Sequence, residues 1–222
     1  MQRNLIITKD GSHTIELAAP FITYHSINGA IQESQHVFID AGLKPLSGTK
    51  ETICVFEMGF GTGLNALLTL VQAELHQQKI YYETIEAFPL EEDIITQLNY
   101  CEQLQQPDLK NIFIQLHAAA WEKEIPITAF FVLRKTRTSL INHSSSQLFN
   151  LIYYDAFAPA VQPELWTPEI FQQLFNMMSP GGILVTYSSK GSVRRAMQAA
   201  GFIVEKLTGA AGKREMIRAV KT

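Results

Sequence analysis

Apolar runs and helical patterns alternate along the chain from residue 51 onward. Residues 52–57 (TICVFE) form an apolar run with β-branched side chains, and residues 64–75 (LNALLTLVQAEL) carry apolar side chains at helical spacing. This pattern predicts a strand, a tight turn and a helix in succession. Further strands are predicted at residues 80–87, 111–117, 149–154 and 183–187, and further helices at residues 90–100 and 168–178. Such alternation is typical of βα units around a mostly parallel sheet, so we predict an α/β fold.

The first fifty residues have a different pattern. Short strand-like pieces lie at residues 5–8, 14–17 and 22–25. Turn residues separate them, among them Ala19-Pro20. We therefore predict a small antiparallel β attachment over residues 1–50 and a Rossmann-like domain over residues 51–222, together forming one compact unit. Residues 130–147 turn basic and then polar, which indicates a surface insertion.

Composition narrows the class of protein. Of the 222 residues, 46% are apolar and 18% are charged, which suits a globular chain with a substantial core. Two isolated cysteines, Cys54 and Cys101, support neither a disulfide scaffold nor a zinc site, so we expect no metal. We see no apolar run long enough for a signal peptide or a membrane-spanning helix, so we expect no membrane partner and a cytoplasmic location.

The segment between the first strand and the first helix of the α/β region carries candidate chemistry. It reads EMGFGTGLN, and its glycines would let the backbone approach a ligand closely. A dinucleotide site has Gly-x-Gly-x-x-Gly, whereas here the third glycine comes one residue earlier. The form Glu-x-Gly-x-Gly-x-Gly instead resembles motif I of class I S-adenosylmethionine-dependent methyltransferases. The candidate cofactor-binding residues of this segment are Glu57, Gly59, Gly61, Thr62, Gly63 and Asn65.

Glu86 ends the second predicted strand of the α/β region, at a spacing that supports an adenosine ligand. A carboxylate about 20 residues beyond the turn is placed to accept hydrogen bonds from ribose hydroxyls and to repel a 2′-phosphate. Many methyltransferases of this class also place an acid at the end of the third strand, for the adenine amino group. Here the predicted third strand ends at His117, which we interpret as structural, and the nearest acid is Glu122. Adenine would then depend on backbone or apolar contacts, unless Glu122 reaches back.

Asp155 follows the fourth predicted strand, at the edge where open α/β sheets bind ligands. Asp-Ala-Phe-Ala-Pro resembles motif IV of amino-group methyltransferases. Asp155 would hold an acceptor amine, orient it and ease its proton loss, with Phe157 and Pro159 as an enclosing wall. A helix N-cap or a turn is the alternative role for Asp155. Trp166 has two open roles, base stacking and core packing.

Several segments together resemble the MnmC-type tRNA wobble-uridine methyltransferases, specifically the stand-alone, MnmD-like form of their methyltransferase domain. The matching segments are EMGFGTGLN at 57–65, EAFPL at 86–90, DAFAP at 155–159, PELW at 163–166 and GKREM at 212–216. The resemblance implies methyl transfer from S-adenosylmethionine to the amine of 5-aminomethyl-2-thiouridine at the tRNA wobble position. It implies cofactor contacts at residues 57–65 and Glu86, with Asp155 between cofactor and acceptor.

The resemblance also bears on partners. Bifunctional members add a flavin-dependent oxidoreductase, and the chain shows no second glycine fingerprint before Thr222, so we expect a separate oxidoreductase or upstream modification enzymes to supply the amine. Three alternatives remain open. They are a methyltransferase for a small-molecule or protein amine, a non-enzymatic adenosine-nucleotide or RNA-binding module, and an aminopropyltransferase of related fold.

The charge distribution decides how tRNA could bind. A net charge of −3 alone argues against a nucleic-acid partner. However, residues 190–222 hold eight basic and two acidic residues, whereas residues 1–189 hold ten basic and nineteen acidic residues. A basic end that includes Lys213 and Arg214 suits phosphate positioning, although a solvated helix face would explain the same charge.

Overall fold

The computed structural model describes residues 2–18, 21–48 and 50–222. Near the N-terminus, β1 (Arg3–Ile7), β2 (His13–Leu17) and β3 (Ile22–Thr23) form an antiparallel sheet, as predicted. The predicted turn residues Ala19 and Pro20 lie outside the described residues. A helical segment follows: α1 (Ala30–Ser34) continues into π-helical turns (Gln35–Leu43) and a 3-10 turn (Lys44–Leu46).

The larger sheet of the described chain has eight strands and carries the site at one edge. Its strands are β4 (Ile53–Met58), β5 (Ile80–Ile85), β6 (Glu124–Pro126), β7 (Phe131–Thr136), β8 (Phe149–Tyr154), β9 (Met178–Thr186), β10 (Ile203–Thr208) and β11 (Glu215–Val220). Their spatial order is β10-β11-β9-β8-β4-β5-β7-β6. The five inner strands from β9 to β7 are parallel, and β11 and β6 run antiparallel to their neighbours. The carboxyl ends of β4, β5, β7 and β8 therefore meet at one edge.

Helices cover both faces of this sheet. They are α2 (Leu64–His76), α3 (Glu92–Gln97), α4 (Tyr100–Gln103), α5 (Lys110–Ala118), α6 (Pro168–Asn176) and α7 (Gly191–Ala199). The single helix predicted at residues 90–100 is wrong, because the structure has two short helices there. Between them, the Asn99 side chain accepts a hydrogen bond from the His13 amide and donates one to the Gly11 carbonyl. Tertiary bonds to the N-terminal sheet thus take the place of helix continuation.

The predicted third strand at residues 111–117 is also wrong, because these residues lie in α5. The two buried side chains of that helix, Phe113 and Leu116, are three positions apart, so the apolar run is one helical face. The third parallel strand is instead β7, inside residues 130–147, which were expected to be a surface insertion.

Lys135 explains why β7 looks like surface in the sequence. Its side chain is buried at 1% exposure. Its ammonium group donates to the His117 carbonyl at the end of α5 and lies 4.6 Å from the centre of the Trp121 ring. A carbonyl at a helix C-terminus and an aromatic face both attract a cation, so a basic residue is accommodated in this strand.

The helical segment before β4 packs directly on the larger sheet. Gly42 is the point of closest approach, where an added Cβ would lie 3.0 Å from Val185 and 3.3 Å from Leu151. The Phe38 ring also contacts the Tyr153 ring, with 5.2 Å between centroids. The segment is therefore part of the layer over β8 and β9, and a domain division at residue 50 stays a prediction.

Replacement of Gly42 by valine is expected to lower the free energy of unfolding by about 1–3 kcal/mol, because the added methyl groups overpack the contact with Val185 and Leu151. Urea denaturation measures the change. Asp40→Ala, at an exposed position of the same segment, is the matched control and should change stability by about 0.5 kcal/mol or less. A Gly42→Val protein as stable as the control would contradict this packing.

Candidate active site

A cavity of about 280 Å³ lies at the carboxyl edge of the larger sheet. The glycine turn, the loop after β5, the segment after β7 and the loop after β8 all contribute to its wall. The wall residues that bear on the chemistry of the cavity are Tyr24, His25, Gly59, Gly61, Thr62, Asn65, Glu86, Phe88, Ser139, Ile141, Asp155 and Phe157. The structure thus brings most of the sequence-predicted site residues together.

Within the described ranges, no helix is long and apolar enough to cross a bilayer, and no group of three or more His, Cys, Asp or Glu side chains is placed to hold a metal ion.

The glycine turn has a backbone that few other residues adopt. Gly59, Gly61 and Gly63 have φ angles of +89°, +49° and +72°. An added Cβ at Gly63 would also lie 2.8 Å from Nε2 of His117. That nitrogen is 3.0 Å from the Thr62 carbonyl, and burial lowers the pKa of His117 to about 4, so the neutral ring donates its N–H to the turn. His117 therefore supports the turn from α5.

Glu86 joins the glycine turn to the loop after β5. One carboxylate oxygen accepts from the Gly61 amide at 2.9 Å, and the other accepts from the Phe88 amide at 2.8 Å. Because a carboxylate oxygen can accept more than one hydrogen bond, acceptor positions remain on the cavity side. The predicted ribose-binding residue is thus held rigidly at the cavity wall.

Glu57 differs from the other predicted cofactor residues because it lies beneath the turn and off the cavity wall. Its side chain is 1% exposed, and its carboxyl group faces the polar side chains of Thr84, Asn65 and Tyr82. Burial raises the pKa of Glu57 to about 8, and the nearby Asp155 acts in the same direction. At neutral pH the folded protein therefore holds a protonated carboxyl group under the turn.

Asp155 is positioned by a contact across the sheet. The Asn65 amide of α2 donates to its carboxylate at 3.0 Å. The helical turns that follow in the chain are capped by Gln162 and Thr167, so Asp155 is not their N-cap. Burial, followed by repulsion from Glu33, raises the pKa of Asp155 to about 7. This carboxyl group is thus poised to exchange a proton near neutral pH.

The N-terminal sheet closes the cavity from above, which sequence reasoning missed. The Tyr24 ring packs edge-on against Phe157 at 5.3 Å, and an added Cβ at Gly61 would lie 3.3 Å from it. Arg3 donates hydrogen bonds to the carbonyls of Phe88 and Pro89 in the loop after β5. Residues of the N-terminal attachment therefore contact the glycine turn, the loop after β5 and the loop after β8.

His25 adds a neutral ring to this wall. Burial lowers its pKa to about 4, and its Nδ1 lies 3.1 Å from the Thr14 hydroxyl. In the sequence, the tyrosine and histidine at positions 24 and 25 end a strand-like piece of the predicted β attachment, and no glycine turn or acidic residue beside them marks a site.

Trp166 and Pro159 are not on the cavity wall. The Trp166 side chain is 6% exposed, and its ring contacts those of Tyr154 and Phe171. Its indole N–H donates to the Phe157 carbonyl at 2.8 Å. Of the two roles expected for Trp166, the structure supports core packing. The hydrogen bond to Phe157 also holds the loop after β8 against this part of the core.

The far end of the cavity follows β7. Thr138, Ser139 and Ile141 line it, and no acid stands directly at the end of this strand. Glu122 reaches this strand end, where its carboxylate accepts from the Arg137 amide at 2.8 Å. The acid that seemed missing in the sequence is thus bound to the backbone here and lies off the cavity wall.

Lys213 and Arg214 lie on the hairpin between β10 and β11 and behave differently. Lys213 turns inward, where its ammonium nitrogen is 2.5 Å from a Glu33 carboxylate oxygen and 4.0 Å from the centre of the Tyr187 ring. Arg214 is exposed. The two residues predicted to bind substrate together therefore face different surroundings.

Replacement of Glu57 by glutamine should flatten the pH dependence of stability. The folded protein keeps the Glu57 proton up to about pH 8, whereas the ordinary pKa is 4.5, so the free energy of unfolding falls as pH rises between these values. Between pH 5 and pH 8 the fall should be smaller in Glu57→Gln than in wild type by roughly 2 kcal/mol or more. Denaturation at both pH values measures it, with the exposed Glu92→Gln as control. Equal falls in both variants would refute a protonated Glu57.

Comparison with known proteins agrees with this site. A family model described as S-adenosyl-L-methionine-dependent methyltransferase matches residues 95–222. The chain is 31% identical over 219 residues to the tRNA 5-methylaminomethyl-2-thiouridine biosynthesis bifunctional protein MnmC of Pseudoalteromonas atlantica. That alignment covers 90% of this chain, which spans 31% of the relative's length.

The fold has a solved counterpart. The crystal structure of MNMC2 from Aquifex aeolicus matches with a TM-score of 0.81 at 24% identity, covering 100% of this chain and 70% of that one. The predicted class I methyltransferase fold with a small antiparallel attachment is thereby confirmed, as is S-adenosylmethionine as its cofactor. Since the family model covers more than half of the sequence, this chain belongs to the S-adenosyl-L-methionine-dependent methyltransferase family.

Proposed function

We propose that this methyltransferase transfers a methyl group to the amine of 5-aminomethyl-2-thiouridine at the wobble position of tRNA. The observation that carries the proposal is the position of Asp155, a carboxyl group with a pKa of about 7 in the same cavity as the glycine turn and bonded to Asn65. The similarity to the bifunctional protein MnmC supports the choice of acceptor.

The residues present fit S-adenosylmethionine, which supplies an electrophilic methyl group on a sulfonium. We assign the amino-acid portion to the turn formed by Gly59, Gly61 and Gly63, where a Cβ at position 61 or 63 would meet Tyr24 or His117. Glu86 would accept the ribose hydroxyls. The adenine would lie among Phe88, Ser139 and Ile141, with polar contacts from the segment after β7.

Asp155 would act on the acceptor. An amine must be neutral to attack, so an ammonium group that enters the cavity first gives one proton to the Asp155 carboxylate. The neutral nitrogen would then be able to accept the methyl group that bound S-adenosylmethionine supplies. A group with a pKa near the working pH is well suited to take that proton. Tyr24 and Phe157 would keep water away and hold the amine in line.

We assign the tRNA surface to cations near the carboxyl edge of β9. Of the eight basic residues after position 189, Lys206 and Arg218 are ion-paired on the sheet face, and Lys221 donates to backbone carbonyls. Lys190, Arg195 and Arg214 are exposed, and Arg194 is half-buried beside them. These four are placed to contact phosphates, whereas the inward Lys213 is not.

The source of the amine is a further part of the proposal: a separate flavin-dependent oxidoreductase or an upstream modification enzyme would supply the aminomethyl group. The chain spans 31% of the length of the bifunctional relative it matches. A cytoplasmic location, where tRNA is available, belongs to the same proposal.

Asp155→Asn should abolish most methyl transfer while leaving S-adenosylmethionine affinity within a few-fold of wild type. The amide keeps the shape and the contact with Asn65 but takes no proton, so turnover should fall by roughly 10²- to 10⁴-fold. Labelled methyl transfer to bulk tRNA from a strain lacking the modification, followed by nucleoside mass spectrometry, measures turnover, and calorimetry measures affinity. If the wild-type enzyme transferred the label only to small-molecule or protein amines, those amines and not tRNA would be the acceptor. Wild-type turnover by the variant would remove Asp155 from the mechanism.

Arg195→Gln combined with Arg214→Gln should weaken tRNA binding and reduce its salt dependence. Each lost phosphate contact lowers the slope of log affinity against log salt concentration by roughly 0.7–0.9. Filter binding across a salt series measures the slope. Arg218→Gln is the matched control, since that cation is already paired with Glu205. An equal loss of slope in the control would place RNA over the whole basic segment instead of this surface.

A further inference from the structure

An ion pair between the half-buried Lys213 and the buried Glu33 lies near Asp155, and neither cofactor binding nor phosphate binding explains it. Glu33, on α1, is 6% exposed, and one of its oxygens lies 2.5 Å from the Lys213 ammonium nitrogen. Its other oxygen accepts from the Ser26 amide at 2.7 Å, next to His25 on the cavity wall. The glutamate is thus fixed by two elements, the N-terminal sheet and the β10–β11 hairpin.

Lys213 connects this ion pair to the loop after β8. Its ammonium group lies 4.0 Å from the centre of the Tyr187 ring, and the Tyr187 hydroxyl donates to the carbonyl of Ala156 at 2.8 Å. Ala156 directly follows Asp155. Lys213 therefore reaches the residue after Asp155 through the Tyr187 ring, and Glu33 is joined to the same chain of contacts through Lys213.

We propose that Glu33 and Lys213 are positioning residues that set the protonation of Asp155, and with it the charge of the acceptor amine. This inference deepens the proposed function and rests on it for the identity of the acceptor. A negative charge near a carboxylate favours its protonated form, and a positive charge favours its ionised form. The two charges of the pair therefore have opposite effects on the protonation of Asp155.

The surroundings of Asp155 support opposed effects. Glu33 raises its pKa, and Lys213 lowers it. Other polar or titratable groups also face it from neighbouring elements: Glu57 on β4, Asn65 on α2, Tyr82 on β5 and Tyr187 after β9. Glu57, Tyr82 and Tyr187 are neutral near pH 7 because their pKa values are raised. The remaining charges that act on Asp155 are the two charges of the ion pair. His25, which is neutral near pH 7, lies beside that pair, as does Asp10.

The experiment compares two substitutions that break the same ion pair from opposite sides. Glu33→Gln keeps an oxygen for the Ser26 amide and removes the negative charge, so the Asp155 titration should move to lower pH. Lys213→Gln removes the positive charge, so the titration should move to higher pH. Shifts of about one pH unit are expected in each direction. A merely structural role would give both variants the same defect.

Two readouts separate this inference from the proposed function. The first is ¹³C NMR titration of Asp155, assigned by loss of its signal in Asp155→Asn, which requires no acceptor. The second is the pH profile of methyl transfer to tRNA, whose acid limb should shift in the same directions. Opposed NMR shifts without methylated wobble uridine would overturn the tRNA acceptor and leave the electrostatic inference standing.

Controls keep the test decisive. Lys213→Arg keeps the charge and should titrate like wild type. If Lys213→Gln does not fold, Lys213→Met, which also removes the charge, takes its place in the comparison. Glu205→Gln breaks the surface pair with Arg218 and should shift nothing. Shifts of the same sign in Glu33→Gln and Lys213→Gln, or no shift in Glu33→Gln, would overturn the inference.

Discussion

The hydrogen bond from the Asn65 amide to Asp155 is the contact on which this site depends. Asn65 lies in α2, the helix that the glycine turn begins, and Asp155 ends β8. Because β4 and β8 are adjacent parallel strands, the glycine turn and the Asp155 carboxylate lie at one edge of the sheet. The bond also favours the ionised form of Asp155 against the cost of burial. In the proposed reaction, this one contact would therefore influence both the distance between methyl donor and acceptor and the protonation of the acceptor.

Buried carboxyl groups give the site its chemical character. Glu57 is buried and Asp155 is half-buried at the cavity wall; Asp155 raises the pKa of Glu57, and Glu33 raises the pKa of Asp155. Proteins usually avoid such grouping because an unpaired buried charge is costly. Here the two carboxyl groups have pKa values of about 8 and about 7, and pKa values perturbed in this way are common at functional sites. Part of the folding free energy is given up for this property.

The sequence is informative where a strand end is marked by its neighbours along the chain. β4 with its glycine turn, and β8 with Asp155, were predicted because apolar runs stop at small or acidic residues. β7 was not, because the groups that accommodate Lys135, the carbonyl at the end of α5 and the Trp121 ring, are brought to it by folding. Tyr24 and Glu33 belong to the site only because the N-terminal segment docks above it. No local pattern encodes that docking.

Arg3 couples the N-terminal sheet energetically to the loop after β5. Its guanidinium donates to the carbonyls of Phe88 and Pro89 and to the Glu91 carboxylate, and Glu86 at the start of that loop bonds to the Gly61 amide. Any ligand that stabilises this loop also stabilises the docked sheet, and an undocked sheet lowers the affinity of the loop for its ligand by the same factor. Under the proposed assignment of the cofactor to this loop, cofactor affinity would therefore depend on the docking of β1 against it.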